Sequence, residues 1–213
     1  SRNEHIDIIK FVIKNKLYKN INALDNENQN ALFWAVYYNS NISVIQELIS
    51  NDCKTDLINK DGDTLLHIAI YNKNSNIIKY LLEKHYYEDI DAKNEILGFT
   101  PLHKACLYCS NTEIISTLIE NGASKAQIAK SGESIYHSLM INPNEKVVDY
   151  VLEHYPIDTN DSNDYFGESL VHYAVEYNSN VEVLKILRKK KFDFSEVSNS
   201  GQTILHFAAH NKN

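Results

Sequence analysis

Five histidines recur along the chain, and each stands three residues after a threonine or a serine. They are His67, His103, His137, His172 and His206. A catalytic role would require each ring to lie beside a nucleophile or a carboxylate. A structural role requires only a hydrogen bond from the imidazole to the neighbouring hydroxyl or backbone. The regular recurrence favours the structural role, and Phe33, at the equivalent position of a sixth copy, indicates that an apolar ring also fits there.

Cys106 and Cys109 form a C-x-x-C motif, and His103 precedes it by three residues. A zinc site requires four ligands, commonly from two separated pairs, and the sequence contains no second pair. Cys106 occupies a small-residue packing position, so we interpret the motif as structural. No Gly-rich phosphate loop, G-x-S-x-G motif or characteristic carboxylate pair is present. The sequence therefore predicts no enzyme activity, no catalytic residue, no metal site and no cofactor.

The segment around each histidine is itself repeated. The equivalent positions 33, 67, 103, 137, 172 and 206 are separated by 34 to 36 residues, a period typical of helical repeat arrays. In most copies a glycine provides a turn, and a threonine or serine two residues later can cap a helix. Pro101 stands at the first helical position, where no N–H is needed. The motif predicts a turn, a cap and a short helix.

A second pattern follows each motif after about ten residues. Apolar residues recur there with the period of an amphipathic helix, in segments 7–13, 43–49, 76–82, 113–119, 146–152 and 182–187. Each repeat is therefore predicted to contain an inner helix, a tight turn, an outer helix and a hairpin-like finger.

The repeated motif resembles the T-P-L-H-x-A signature of the ankyrin repeat family. Residues 98–105 read G-F-T-P-L-H-K-A, and five further copies at this period make the resemblance specific over essentially the whole chain. It implies an all-α fold, an ankyrin-repeat solenoid of stacked helix-turn-helix units with hairpin-like finger loops. The family usually has glycine between the two helices, where this chain has asparagine at positions such as Asn39, Asn72 and Asn178. We expect a left-handed backbone there, which asparagine tolerates.

We predict a single ankyrin repeat domain over residues 1–213. It comprises a partial repeat (1–24), five complete repeats (25–58, 59–93, 94–127, 128–161 and 162–197) and a second partial repeat (198–213). Because both ends cut through a repeat, we expect an excerpt of a longer polypeptide. Repeat 128–161 is expected to be the least regular, because Pro143 lies in its turn and Leu139 replaces a small residue.

Charge and composition exclude several classes of partner. The net charge is −7, and only Arg2 and Arg188 of the 21 basic residues are arginine, so we expect no nucleic-acid binding. No signal peptide and no apolar stretch long enough to cross a membrane is recognisable, so we expect no membrane insertion by this segment. Three cysteines provide no disulfide framework. We expect a monomer in the cytoplasm, an intracellular and reducing setting.

The resemblance implies binding through a concave surface of inner helices and finger tips. The period places twelve residues near the exposed ends of inner helices: Tyr37, Tyr38, Tyr71, Asn72, Leu107, Tyr108, Ile141, Asn142, Glu176, Tyr177, His210 and Asn211. Seven of them are candidate binding residues: Tyr37, Tyr38, Tyr71, Leu107, Tyr108, Glu176 and Tyr177. Five more are apolar residues at the tips of fingers: Ile96, Leu97, Phe99, Tyr165 and Phe166. Exposed apolar tips favour a binding surface, and tyrosine is favoured at interfaces. Alternatively, some of these rings pack on an adjacent repeat, and Phe99 or Phe166 folds back onto the array.

The leading hypothesis is a protein–protein interaction scaffold that binds a partner protein or peptide. The alternative is a substrate-recognition or regulatory domain of a larger enzyme, because arrays of this family are fused to palmitoyltransferases, kinases and ubiquitin ligases.

Overall fold

Every regular element in the described part of the chain is an α-helix. The computed structural model describes residues 4–72, 74–157 and 163–212. The helices are α1 (Glu4–Lys14), α2 (Ala31–Tyr38), α3 (Ile42–Ser50), α4 (Leu65–Ala69), α5 (Ser75–Glu83), α6 (Pro101–Tyr108), α7 (Thr112–Glu120), α8 (Ile135–Ile141), α9 (Glu145–His154), α10 (Leu170–Tyr177), α11 (Val181–Lys189) and α12 (Ile204–His210). Isolated bridges join 128 to 134, 163 to 169 and 197 to 203. The all-α prediction is confirmed.

The chain forms two compact units, Ser1–Ile96 and Leu97–Asn213, which we call the N-terminal and C-terminal units. In the N-terminal unit α2 packs on α3 and α4, while α3 also packs on α1 and α5. The faces between these helices are apolar, and Leu32, Ile45, Leu65 and Leu81 are completely buried or nearly so. Burial of side chains of this kind stabilises the fold by roughly 1.5–3 kcal/mol each.

The C-terminal unit contains an inner and an outer series of helices. α6, α8, α10 and α12 contact one another in order, and so do α7, α9 and α11. Leu102, Leu139 and Leu170 fill the inner series, and Ile115 and Val148 lie on the outer helices, all of them fully buried. The amphipathic segments predicted as outer helices therefore bury the faces that the sequence pattern indicated.

The recurrent histidines cap helices. In α6 the Thr100 N–H donates to His103 Nδ1 at 3.3 Å, and the Thr100 hydroxyl lies 2.9 Å from the same nitrogen. Because Nδ1 accepts the N–H, the proton of the neutral ring lies on Nε2. His103 Nε2 lies 3.3 Å from the Glu133 carbonyl, and His137 Nε2 lies 3.2 Å from the Glu168 carbonyl. Each of these rings therefore connects its own cap to the next finger, and the structural interpretation is confirmed.

The asparagines between inner and outer helices also hold neighbouring repeats together. Asn178 Nδ2 donates to the carbonyls of Met140 at 2.6 Å and Asn142 at 2.9 Å, and its Oδ1 accepts the Asn180 N–H. Asn72, Asn142 and Asn211 donate to the carbonyls of a preceding turn in the same way. The expectation that Asn72 and Asn142 lie at exposed helix ends is wrong, because these bonds draw both side chains into buried positions. Asn39 and Asn178 have φ of −92° and −83°. The expected left-handed backbone is wrong there, because the amide side chain and not the backbone conformation is what the turn uses.

The fingers are hairpin-like turns that contact one another through backbone groups. In the C-terminal unit the Ala129 N–H donates to the Glu133 carbonyl and closes one finger. The Tyr165 N–H of the next finger donates to the Ser131 carbonyl at 3.0 Å. Gly132, which lies between Ser131 and Glu133 in the first finger, has φ of +87°. A Cβ atom at this position would lie 2.6 Å from the Tyr165 ring of the next finger. Glycine is therefore required both by the turn and by the close approach of the next finger.

The inner helix of repeat 128–161 is more regular than expected. This helix, α8, has an intact cap at Ser134 and a fully buried Leu139. The shortest helix of the described residues is instead α4, which ends at Ala69 after five residues. The repeat boundaries given above stay predictions, and the one at 161/162 lies outside the described residues.

Candidate interaction surface

Most of the side chains predicted to bind a partner are exposed. Those in the N-terminal unit are Tyr37, Tyr38 and Ile96, with Tyr71 half-buried. Those in the C-terminal unit are Leu97, Tyr108, Tyr165, Phe166 and Tyr177, with Leu107 and Glu176 half-buried. Whether these residues bind a partner stays a prediction.

Phe99 is the exception: the expectation that it forms an exposed tip is wrong, and the alternative, that it folds back onto the array, is confirmed. Only 6% of its surface is accessible, and its ring stacks on His103 with the centroids 5.3 Å apart. Phe99 follows Gly98 and faces the core, whereas Leu97 precedes the glycine and is exposed. The same finger therefore presents one apolar side chain to solvent and buries the other.

The N-terminal unit carries a continuous aromatic cluster at the end of α2. The ring of Tyr37 lies 4.4 Å from that of Tyr38 and 5.7 Å from that of Tyr71, measured between centroids. Trp34 stacks on Tyr38 at 5.5 Å and is about half exposed. Sequence reasoning missed Trp34, although its position four residues before Tyr38 places both rings on one helical face.

Asp25 fixes the orientation of this cluster. The Trp34 Nε1–H donates to Asp25 Oδ2 at 2.8 Å, and the Gln29 N–H donates to Asp25 Oδ1. These bonds lower the pKa of Asp25, that from Gln29 being the larger influence. Trp34 and Tyr38 also border an open groove of about 380 Å³, with Ile9, Val44 and Leu48 on its other walls. The cluster is therefore both ordered and accessible.

In the C-terminal unit the exposed ring of Tyr177 lies above a buried tyrosine. The centroids of the Tyr173 and Tyr177 rings are 5.6 Å apart, and the rings meet edge to face at an interplanar angle of 62°. The Tyr173 hydroxyl lies 2.8 Å from Glu133 Oε1 and 3.0 Å from Asp164 Oδ2, so its one proton serves two carboxylates. Burial raises the pKa of Tyr173 far above its ordinary range, and the Glu133 carboxylate adds to the shift. Tyr173 therefore stays protonated and holds these two acids beneath the surface.

Further carboxylates surround the same position. Burial raises the pKa of Glu168, and the neighbouring Asp164, Glu176 and Glu133 carboxylates raise it further. Burial likewise raises the pKa of Tyr177 to about 12, with a contribution from Glu176. Glu176 Oε1 lies 3.1 Å from His210 Nδ1. The exposed aromatic ring is thus set in a region of crowded negative charge.

The groups that could have carried chemistry are occupied or buried. Cys106 and Cys109 are both buried, and burial raises the pKa of Cys109 to about 12 and that of Cys106 far above its usual range. Both thiols therefore stay protonated, and a protonated thiol is a poor nucleophile. In the part of the chain that the structure describes, no group of three or more histidine, cysteine or acidic side chains is arranged to hold a metal ion.

No helix formed by the described residues combines the length and the apolar character needed to cross a membrane.

Comparison with known proteins identifies relatives of this architecture. A sequence model of one family, described as ankyrin repeats in three copies, matches residues 36–129 and 135–213. The chain is 28% identical over 163 residues to ankyrin repeat protein L371 of Acanthamoeba polyphaga mimivirus, which covers 74% of this chain and 20% of that protein. It is 28% identical over 159 residues to the nuclear factor NF-kappa-B p105 subunit of Gallus gallus, covering 72% and 16%.

A third relative is an enzyme. The chain is 26% identical over 174 residues to palmitoyltransferase AKR1 of Lachancea kluyveri, covering 78% of this chain and 23% of that protein. The chain thus spans less than a quarter of the length of each of these three proteins.

Proposed function

The chain belongs to the ankyrin repeat family, whose members generally serve as protein-interaction modules, and we propose that it binds a partner protein or peptide. In this proposal each unit binds through the ends of its own inner helices and its own finger tips. In this proposal the chain catalyses no reaction.

One observation carries the proposal. The inner helices α2, α6 and α10 each end on an exposed tyrosine, namely Tyr38, Tyr108 and Tyr177. The buried faces of the same helices already form the cores of their units, so these rings are not needed to fill them. Tyrosine combines a large apolar area with a polar tip, and rings of this kind dominate the energy of many interfaces.

Peptides selected from an unbiased display library on the wild-type protein provide the probe for a test. For each selected peptide, at least one of Tyr38→Ala, Tyr108→Ala and Tyr177→Ala is expected to weaken binding by about tenfold or more. The unfolding free energy should fall by no more than about 1.5 kcal/mol, because the rings are largely exposed and lose only contacts with neighbouring rings.

Phe11→Ala is the matched control, because Phe11 is an exposed aromatic residue on the outer helix α1. It should leave peptide affinity unchanged. Selected peptides that lose affinity with Phe11→Ala, or with none of the tyrosine variants, would contradict the proposed surface.

A second function is favoured by the similarity to the palmitoyltransferase of Lachancea kluyveri. In this version the chain is the recognition or regulatory domain of a larger enzyme and binds that enzyme's protein substrate through the same surface. The sequence of the full-length transcript tests it. A catalytic domain in the same reading frame supports it, and a reading frame of repeats alone contradicts it.

The proposal further describes the chain as a cytoplasmic monomer that binds no nucleic acid. The net charge of −7 and the near absence of arginine support the last point, since binding to a phosphate backbone requires clustered positive charge. Sedimentation velocity and imaging of a tagged protein in cells test the first two points.

A further inference from the structure

We propose that an outer helix, capped by Asn213 and supplied by the same polypeptide, docks on the exposed face of α12. We call Leu205, Ala208 and Ala209 the open face of α12. The occupant of this face is a segment of the chain itself, and neither a second copy nor a partner protein. The inference does not depend on the proposed function, because it concerns how the terminal repeat is completed.

The positions that form the open face of α12 are buried in the other inner helices of the C-terminal unit. Leu205 is 77% exposed, whereas the residues at its equivalent position in α6, α8 and α10 are at most 6% exposed. These are Leu102, Tyr136 and Val171. Ala208 and Ala209 are exposed, and all of their equivalents are buried: Ala105, Leu139 and Ala174, and Cys106, Met140 and Val175.

Outer helices pack beside the equivalent inner helices in the same unit. α7 contacts α6, and α11 contacts α10. Leu184 of α11 is half-buried, whereas its equivalents Ile115 and Val148 in α7 and α9 are fully buried. One further outer helix would therefore pack both on the open face of α12 and beside Leu184.

The turn after α12 carries the signal with which the other outer helices begin. Each of them starts after an asparagine whose side chain accepts the N–H of the second residue after it, namely Asn41, Asn74, Asn111, Asn144 and Asn180. In four of these turns another asparagine stands two residues earlier. Residues 211–213 read N-K-N and repeat this pattern. Asn213 lies outside the described residues, but its place in the sequence is that of an outer-helix N-cap.

Asn211 is already bonded as the first asparagine of such a turn. Its Nδ2 donates to the Val175 carbonyl at 2.7 Å and to the Asn178 carbonyl at 3.1 Å. Asn178 makes the corresponding bonds to Met140 and Asn142, and α11 begins three residues after it. The chain after α12 is therefore docked in the way that precedes an outer helix in the repeat before it.

The last finger favours a continuing repeat over a partner of another shape. A Cβ at Gly132 or Gly167 would collide with the following finger, at Tyr165 or Asn199. A Cβ at Gly201 would meet no atom of the described residues within 4 Å. The side of a finger on which the next finger stacks is thus open here, and an outer helix leads the chain to that side in the preceding repeats.

The buried positions of the other outer helices specify the segment that fits. The third and seventh residues after the N-cap are buried in each outer helix of the C-terminal unit: Ile114 and Leu118, Val147 and Val151, and Val183 and Leu187. The fourth residue is buried in α7 and α9. We therefore expect apolar residues three, four and seven positions after Asn213.

The sequence of the full-length transcript tests the natural occupant. The reading frame is expected to continue past the codon for Asn213 with this apolar spacing and without proline beyond the first helical turn. A stop codon directly after Asn213, or a continuation that is polar at these three positions, would overturn the inference.

A grafted helix tests whether the open face accepts such a segment. A copy of residues 181–197 is appended to the 213-residue chain, so that Asn213 takes the place of Asn180. The matched control carries Val183→Ser and Leu187→Ser in the appended copy only. A third protein combines the unaltered extension with Leu205→Asp. Hydrogen exchange in α12 (Ile204–His210) is measured by mass spectrometry, and circular dichroism verifies that each protein is folded.

We expect the extension to slow exchange in α12 by about tenfold or more, because it buries apolar side chains on both helices. The serine control and the Leu205→Asp protein should exchange as fast as the unextended chain. Equal exchange in the extended protein and the serine control would overturn the inference. So would a dimer of the unextended chain, seen by sedimentation velocity and dissociated by Leu205→Asp, because it would assign the open face to a second copy.

Discussion

At the scale of single residues, the side of the finger glycine on which an aromatic residue stands decides whether it supports the fold or faces solvent. Phe99 follows Gly98 and is buried against His103, whereas Phe166 precedes Gly167 and is exposed. The chain conformation changes direction at the glycine, whose φ is +73° in the first finger and +74° in the second. Sequence reasoning left open whether either ring folds back onto the array, because a hydrophobic pattern alone does not encode this change of direction.

The two phenylalanines should therefore respond differently to truncation. Phe99→Ala is expected to lower the free energy of unfolding by about 3–5 kcal/mol, because it leaves a cavity beside His103. Phe166→Ala should change it by no more than about 0.5 kcal/mol. Urea denaturation followed by circular dichroism measures both. Equal losses for the two variants would contradict the assignment of Phe99 to the core.

His172 is expected to make the fold sensitive to acid. Burial lowers its pKa below the ordinary 6.5, although the nearby Glu196 carboxylate partly offsets this effect. The unfolded chain therefore binds a proton at a higher pH than the folded chain. The contribution of neutral His172 to stability is fully present above about pH 6.5, and it falls as the pH is lowered through the folded-state pKa.

His172→Phe tests this expectation, because Phe33 fills the equivalent slot in the first repeat and is buried there. The free energy of unfolding of the wild type should decrease between pH 7 and pH 5, and that of His172→Phe should decrease less. Identical pH profiles of the two proteins would show that His172 does not contribute.

At the scale of elements, the turns between helices depend on amide side chains rather than on backbone conformation. The asparagine after each of α8 and α10 accepts an N–H within its own turn and donates to carbonyls of the preceding turn. Buried carbonyls need such donors, since an unsatisfied polar group costs about 1–3 kcal/mol. This ladder of asparagines therefore connects one repeat to the next within the C-terminal unit.

Asn178→Ala should lower the free energy of unfolding by about 2–3 kcal/mol, because it leaves the carbonyls of Met140 and Asn142 without a donor. Asn39→Ala is the matched control, because Asn39 accepts the Asn41 N–H in the same way and is less buried. It should cost about 1 kcal/mol. Chemical denaturation measures the free energy of unfolding of both variants. If Asn39→Ala lowers it as much as Asn178→Ala does, the ladder of asparagines is contradicted.

Helices, caps and fingers were largely predictable from the sequence, because each rests on local chemistry. A threonine or serine followed by histidine three residues later specifies a cap, and the outer helices follow from apolar spacing. The asparagine ladder was not predictable from local chemistry, because its acceptors lie more than 30 residues away. The short α4 was not predictable either, and nothing in the Thr64 cap distinguishes it from the longer inner helices.

At the scale of the whole molecule, each compact unit has its own core and its own exposed aromatic residues. The period of the repeat was sufficient to place tyrosines at the ends of inner helices, since equivalent positions recur every 34 to 36 residues. It was insufficient to show that Tyr173 gathers Glu133 and Asp164 beneath Tyr177, because those acids come from two different fingers.

The most direct test of the account is amide hydrogen exchange, measured by mass spectrometry with and without a saturating display-selected peptide. We predict slower exchange on binding at the ends of inner helices and at finger tips, such as segments 36–39, 106–110, 164–168 and 175–178. Exchange in the outer helices α5 (Ser75–Glu83) and α11 (Val181–Lys189) should be unchanged. Protection confined to the outer helices, with none at the tyrosines, would contradict the claim that this chain binds through its inner helices and fingers.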